Sequence, residues 1–422
     1  MMVHIEKKEA VHAVFYAPPS KSETHRSYIT AALAEGNSFI SKPLQAEDTA
    51  ITRNILEGWG IPFVDGGDGV RVEGKGGILR CVPEVRIQVR DSGTTMRFFT
   101  SLALLCAVPV ILDGSTRMRE RPLGPLVEAL GVLGARTTYL GKAGYPPVKV
   151  SGSLRGGEVR LSGKGSSQYI SSLLLVAPYA AEDIAVTCEE IPVSRSYIDT
   201  TLSIMHAFGA VYEREGYRYY RIQAGTSYRG SRYTVEGDFS SAAYFLAIPA
   251  ICGGSVLVKG LSPSSTQGDR LFLEILAGMG CTIRWKEEGV EVFREGDLEG
   301  ITINMSSSPD SVQTVCMVAA CARSSTTITG VAHLRFKESD RLEATAEVLR
   351  QFGAKALVSD DAITVIPAPL HGGVIDPKND HRTAMSAAIL GLGIGDVTIL
   401  QAECVNKSFP EFWSQLQKAG LL

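Results

Sequence analysis

Six times along the 422 residues, a helix-like run ends with an apolar residue four places before a glycine. The pairs are Leu56 and Gly60, Leu130 and Gly134, Met205 and Gly209, Leu276 and Gly280, Leu349 and Gly353, and Leu416 and Gly420, so the glycines stand 74, 75, 71, 73 and 67 residues apart. A glycine at that place supplies the positive φ that closes a helix. In the first five copies a strand-like pair follows, as over 137–140 with 148–150 or 354–358 with 362–366, which predicts a hairpin. A second helix lies upstream in every copy and opens on a residue that can accept hydrogen bonds from first-turn amides: Ser20, Asp91 or Ser92, Ser166 or Ser167, Asp238, Asp310, and Asn379 or Asp380. Between the two helices runs a short apolar strand, for example 108–112, 255–258 or 397–400. The repeat is therefore helix, strand, helix, hairpin, and six copies fill the chain.

One such unit buries its helices only against its own small sheet and its neighbours, so several should share a core. The natural grouping is two sets of three, residues 20–237 forming one domain and residues 1–19 with 238–422 the other. The strand-like segment 10–17 precedes the first copy and is expected to complete the last. A solenoid is the competing architecture, although solenoid repeats usually run about 20 to 50 residues.

Lys and Arg total 42 against 45 Asp and Glu, a formal charge of −3, which gives no electrostatic footprint for nucleic acid or an anionic membrane. Residues 1–10 carry Lys7 and Lys8 with no apolar stretch behind them, unlike a signal peptide. The longest apolar stretch, 98–112, contains Thr100, Ser101 and Pro109 and falls short of a membrane span. A cytoplasmic monomer is expected. The eight cysteines form no CxxC pair and the seven histidines no HExxH, so neither a disulfide framework, a metal nor a cofactor is expected.

The chemically distinctive residues collect at the starts of the upstream helices, where free amides and a partial positive charge favour phosphates and carboxylates. Pro18-Pro19-Ser20-Lys21-Ser22 with Arg26 stands at the first, Asp91-Ser92-Gly93-Thr94-Thr95-Met96-Arg97 at the second, Gly165-Ser166-Ser167-Gln168 at the third and Asn379-Asp380-His381-Arg382 at the sixth. Two basic loops, 117–122 and 335–341, are each either a salt-bridged surface loop or a clamp for anions.

PPSKSETHR, RMRERPLG, GSSQY, VSRSYID, VEGDFSSAAYFLA, FKESDR, NDHRTAM and NKSFPEFW occur in that order along nearly the whole chain. In this combination the sequence resembles the 5-enolpyruvylshikimate-3-phosphate synthase family of enolpyruvyl transferases. The resemblance implies an α/β (α+β) fold, a two-domain inverse α/β barrel-like architecture of six βαβαββ-type repeats, three per domain, with the active site in the interdomain cleft. It implies transfer of the enolpyruvyl group of phosphoenolpyruvate to the 5-hydroxyl of shikimate 3-phosphate, with release of phosphate and without metal or cofactor.

Carried over by motif, shikimate 3-phosphate falls to Lys21, Ser22, Arg26, Ser166, Ser167, Gln168, Ser194, Asp310 and Lys337. Phosphoenolpyruvate falls to Lys21, Gly93, Arg121, Gln168, Arg341, Arg382 and Lys407. Asp310 is expected as general base and Glu338 as general acid, with Lys21 assisting at the departing phosphate. The bland alternatives are that Asp310 only caps a helix and that Glu338 only pairs with Lys337 or Arg341. Seven cations, Lys21, Arg26, Arg121, Lys337, Arg341, Arg382 and Lys407, would serve two substrates of about −5 to −6 in total, and removing them leaves −10 for the rest of the chain.

Two positions depart from the family pattern. Arg90-Asp91-Ser92-Gly93 replaces a Gly-Asn-Ala-Gly-type turn, and His333 replaces a frequent Asn. The sister transferase acting on UDP-N-acetylglucosamine is one rival, but Lys21-Ser22 stands where it carries Lys-Asn, and the loop 113–125 lacks its cysteine. A non-catalytic binder of phosphorylated sugars is the other. Carboxylates facing an anion site would weaken such a binder, so Asp310 and Glu338 argue against it.

Overall fold

The computed structural model describes residues 1–81 and 86–422. Its backbone writes the expected repeat with one addition: a short strand runs ahead of the upstream helix. In the second copy this is Arg86–Gln88, followed by helix Gly93–Leu102, strand Val110–Asp113, helix Gly124–Val132 and the hairpin Ala135–Tyr139 with Val148–Gly152. The added strand pairs in parallel with the strand after its helix, Arg86 facing Ile111 and Gln88 facing Asp113, while the hairpin pairs antiparallel. Glycines at the downstream helix ends take φ between +71° and +111°, from Gly420 to Gly280, the conformation that lets the chain turn from helix into hairpin.

The chain divides into two units, Pro19–Val235 and Met1–Pro18 with Glu236–Leu422. In Pro19–Val235 the first copy has no leading strand of its own. Arg232–Thr234 returns to fill that place, parallel to Glu35–Ser41. In the other unit one N-terminal strand does this for the fourth copy, while a second adds an edge to the sheet of the last copy, which has its own leading strand Gly373–Ile375. Val11–Tyr16 pairs in parallel with Gly254–Lys259 of the fourth copy, and Val3–Ile5 pairs antiparallel with Val397–Ile399 of the last. Segment 10–17 thus completes the fourth copy, not the last as its sequence position suggested. Its strand, Val11–Tyr16, is six residues long and broadly alternates buried with exposed side chains, which suits the longer Gly254–Lys259 and not the three-residue Val397–Ile399.

Each unit has its own apolar core. Around Phe245, Val315 and Ile389 the helices Phe239–Cys252, Val312–Ala319 and His381–Ile394 all touch one another. Mutual contact between the fourth and sixth copies closes a ring, which a solenoid cannot do. These central helices are buried nearly all round, so their polar groups must pair within the core. They do so about one repeat apart, Gln313 with Thr383 at 2.9 Å and Thr314 with Ser386 at 3.2 Å, as do Ser101 and Ser172 at 2.6 Å in Pro19–Val235. No helix among the described residues is long and apolar enough to cross a membrane. Cys81 and Cys106 form a disulfide with their Cα atoms 5.7 Å apart; the cysteine spacing carried no sign of it.

Candidate active site

In Pro19–Val235 the three upstream helices open as their capping residues predict. Ser20, Ser92 and Ser166 accept from the amides of Glu23, Thr95 and Gln168, and the remaining first-turn amides present partial positive charge to whatever lies beyond. The starts are cross-linked. His25 Nδ1 meets Thr52 Oγ1 at 2.8 Å, Thr52 meets Thr95 at 2.8 Å, and Thr95 meets the cap Ser92 at 2.7 Å. Gln168 Nε2 donates to Thr94 Oγ1 at 3.2 Å. Lys21, Gly93 and Gln168 are therefore tied into one polar face, to which Lys21 brings Asp48 at 3.0 Å.

Of the three arginines in the 117–122 loop, two are engaged in ion pairs of their own. Arg119 forks onto the buried carboxylate of Asp113 at 2.8 and 2.7 Å, and Arg117 pairs with Glu120 at 2.9 Å. Arg121 instead turns to the second helix start, donating to Asp91 O at 3.3 Å. A Cβ at Gly93 would stand 2.5 Å from its Nη2. Gly93 is thus needed for the seat of Arg121 as well as for close approach by a ligand.

Arg26 is held by the protein itself. It is buried, lies over the ring of Phe98 at 5.0 Å, and donates to Thr201, Ser22 O, Ser171 and Tyr197 O. Four of its five donors are engaged within the protein, and burial lowers its pKa to about 10. Ser22, Ser166 and Ser167 flank the same helix starts, and Ser194 sits nearly buried at φ +54°, in the left-handed region that non-glycine residues seldom adopt.

In the other unit the three helix starts meet at one side chain. Arg382 donates to Ser240 Oγ at 3.0 Å at the start of Phe239–Cys252, and to Asp310 O at 3.0 Å and Oδ2 at 2.9 Å before Val312–Ala319. Its own helix, His381–Ile394, is capped by Asp380, and Tyr244 OH lies 3.2 Å from its guanidinium. Asp310 is not a helix cap. It sits in the tight turn Pro309–Ser311, and its carboxylate faces Arg382 and Arg341, the latter at 3.3 Å.

Arg341 is almost wholly buried and surrounded by three carboxylates: Asp380 at 2.9 Å, Glu338 at 2.7 Å and Asp310 at 3.3 Å. Glu338 is also gripped by Lys407 at 3.2 Å. Three cations, Arg341, Arg382 and Lys407, therefore face three carboxylates here. An anionic ligand would bind by taking over donors that Asp310 and Glu338 now hold. In the 335–341 loop, Arg335 belongs to the surface pairs with Asp340 and Glu343, and Lys337 is half-buried one residue before Glu338.

The model of the EPSP synthase (3-phosphoshikimate 1-carboxyvinyltransferase) family matches residues 5–416. The chain belongs to this family. It is 51% identical over 422 residues to the 3-phosphoshikimate 1-carboxyvinyltransferase of Methanoculleus marisnigri, with all of both chains covered. The protein of the same name from Methanothermobacter thermautotrophicus is 40% identical over 421 residues, covering 100% of this chain and 99% of the relative. Among solved structures, an EPSP synthase from Acinetobacter baumannii superposes with a TM-score of 0.82 at 28% identity, covering 100% of this chain and 98% of that one.

Several partners of these cations were not assigned that part from the sequence. Asp48 is the partner of Lys21, Asp380 of Arg341, and Ser240 and Tyr244 of Arg382. The last two stand in the quoted VEGDFSSAAYFLA segment without an obvious role, and the partners of the others are 27 and 39 residues away. Asp380 does double service, capping its helix and neutralising Arg341. Asp380→Ala would leave a buried guanidinium short of its most deeply buried carboxylate, and we expect a loss of about 3 to 5 kcal/mol of stability, read by denaturant unfolding. A loss below about 1 kcal/mol would show that Glu338 and Asp310 suffice.

Two buried histidines give a pH prediction. Burial pushes His25 and His333 down to about 3 from an ordinary 6.5, and neither Nε2 has a hydrogen-bond partner among the described residues. Folded, both stay neutral where the unfolded chain binds protons, so stability is full above about pH 6.5 and falls toward pH 3, by roughly 1.4 kcal/mol per pH unit for each. Asp269 opposes this between about pH 4 and 6, because burial raises its carboxyl to about 6. Two imidazoles against one carboxyl leave a net loss. The thermal midpoint should drop between pH 7 and pH 5, and less so in His25→Asn/His333→Asn; a flat profile would contradict this.

Proposed function

We propose that the chain transfers the enolpyruvyl group of phosphoenolpyruvate to the 5-hydroxyl of shikimate 3-phosphate, releasing phosphate, as a cytoplasmic monomer. The observation that carries the residue roles is the placing of two carboxylates, Asp310 and Glu338, on one buried arginine, Arg341. Asp310 takes the proton of the 5-hydroxyl as its oxygen adds to C2 of phosphoenolpyruvate. Glu338 gives a proton to C3, which becomes a methyl group. The resulting tetrahedral intermediate then breaks its C–O bond to phosphate while Glu338 recovers a proton from the methyl, and Lys21 assists the departing phosphate.

Two cations on one carboxylate disfavour its protonated form. Glu338 therefore becomes an acid when the carboxylate or phosphate of phosphoenolpyruvate draws Arg341 and Lys407 to itself. Arg121, Gly93, Gln168 and Arg382 complete the donor's set, and Ser22, Ser166, Ser167, Ser194 and Lys337 the acceptor's. Arg26 reaches the acceptor's carboxylate only by releasing one of its present partners.

Phosphate release from phosphoenolpyruvate tests the reading. Release is expected with shikimate 3-phosphate and not with UDP-N-acetylglucosamine; the reverse pattern would overturn it.

A further inference from the structure

Behind the Asp310 turn lies a carboxylate with no place in the steps above. Asp269 precedes helix Leu271–Gly278 and is 3% exposed. Its Oδ1 accepts from Ser308 Oγ at 2.8 Å and from Ser311 Oγ at 3.0 Å. The two hydroxyl oxygens lie 2.9 Å apart, and between these serines stand only Pro309 and Asp310. One buried oxygen thus clamps both ends of the turn that carries the base.

A buried carboxylate is costly unless it does something its apolar replacement would not. From that geometry we propose that Asp269, which touches no substrate, is a positioning residue: it fixes the turn so that the Asp310 carboxylate meets Arg341 and Arg382 in the orientation needed for proton abstraction. The proposal rests on the assignment of Asp310 as base. Its charge has a second effect. The groups facing Asp269 include Asp310, Arg382 and Asp238; those facing Asp310 include Arg341, Arg382, Asp269, His333 and Tyr244. Asp269 is thus a carboxylate facing Asp310 against two guanidiniums, and like charge makes Asp310 the stronger base.

The test is steady-state kinetics of the full chain with shikimate 3-phosphate and phosphoenolpyruvate. Asp269→Ala frees the turn and is expected to lower kcat about 10²-fold, the cost of a misplacement near 1 Å, while both KM values change less than about threefold. Asp269→Asn keeps an oxygen for both serines and should recover at least about a tenth of the wild-type rate. It removes the like charge, so the acid limb of its kcat profile should move to lower pH by about half a unit.

If Asp269→Ala fails to fold, Ser308→Ala/Ser311→Ala breaks the same clamp, and the same fall in kcat is expected. Normal kcat in the folded clamp variants would overturn the proposal. So would equal loss in Asp269→Ala and Asp269→Asn with raised KM and an unmoved acid limb, the signature of a structural role alone. Asp310→Asn separates the two claims. A near-normal rate there removes the base assignment and the proposal with it, whereas a large loss there beside a normal Asp269→Ala overturns the positioning role only.

Discussion

Asp310→Asn is expected to lower kcat by about 10²- to 10⁴-fold, the usual contribution of a positioned general base. The amide fills the same volume and its one oxygen can still accept from Arg382, which now reaches Oδ2 at 2.9 Å, while the 3.3 Å contact of Arg341 to Oδ1 is given up. The fold should therefore survive. What disappears is the capacity to take the hydroxyl proton. Because both arginines then face one negative charge fewer, the KM for phosphoenolpyruvate should stay level or fall. That sign separates loss of a base from loss of a binding group, which would raise KM with kcat retained. A rate within about threefold of wild type would remove Asp310 from the mechanism.

Glu338→Gln should cost a similar factor, about 10² to 10⁴ in kcat, for the opposite reason. Glu338 stands 2.7 Å from Arg341 and 3.2 Å from Lys407, and its task is to deliver a proton to carbon once those cations have turned to the donor. Glutamine cannot deliver one. It also leaves Arg341 and Lys407 more available to anions, so phosphoenolpyruvate should bind at least as well. If Glu338→Gln raised KM and left kcat alone, Glu338 would be a mere organiser of Arg341, the bland alternative its sequence neighbours suggested.

The parts of this molecule legible in its sequence are those whose physics is local. Helix starts were readable because Ser20, Ser92, Ser166, Asp238 and Asp380 bond amides two or three residues on. Repeat ends were readable because the turn from helix to hairpin needs a glycine. The leading strands were implied by the βαβαββ-type resemblance but not readable from the residues themselves: Arg86–Gln88, Thr302–Asn304 and Gly373–Ile375 are three residues each and owe their conformation to a distant partner strand. The same limit explains segment 10–17, whose pairing with residues 254–259 depends on how the chain crosses between units.

At the site, residue types marked the anion-binding helix starts and the two candidate carboxylates. They could not show that Arg117, Arg119 and Arg335 are spent on ion pairs, that Arg26 is engaged by four protein acceptors, or that Asp380, Glu338 and Asp310 share Arg341. Each of those facts is a choice among partners, made by packing. Seven cations around a substrate pair of about −5 to −6 was the expectation. In Met1–Pro18 with Glu236–Leu422, three of them are instead balanced by carboxylates that an incoming anion must displace.

The most direct measurement of the proposed chemistry is turnover in deuterated water with the label read in the product. Addition puts a solvent-derived hydron from Glu338 on C3 and makes a methyl group, and elimination removes one of its three hydrogens. The enolpyruvyl methylene of the product should therefore carry deuterium in the wild type, and Glu338→Gln should lose labelling and turnover together. Turnover that leaves the methylene unlabelled would contradict the account, because enolpyruvyl transfer would then proceed without protonation at carbon.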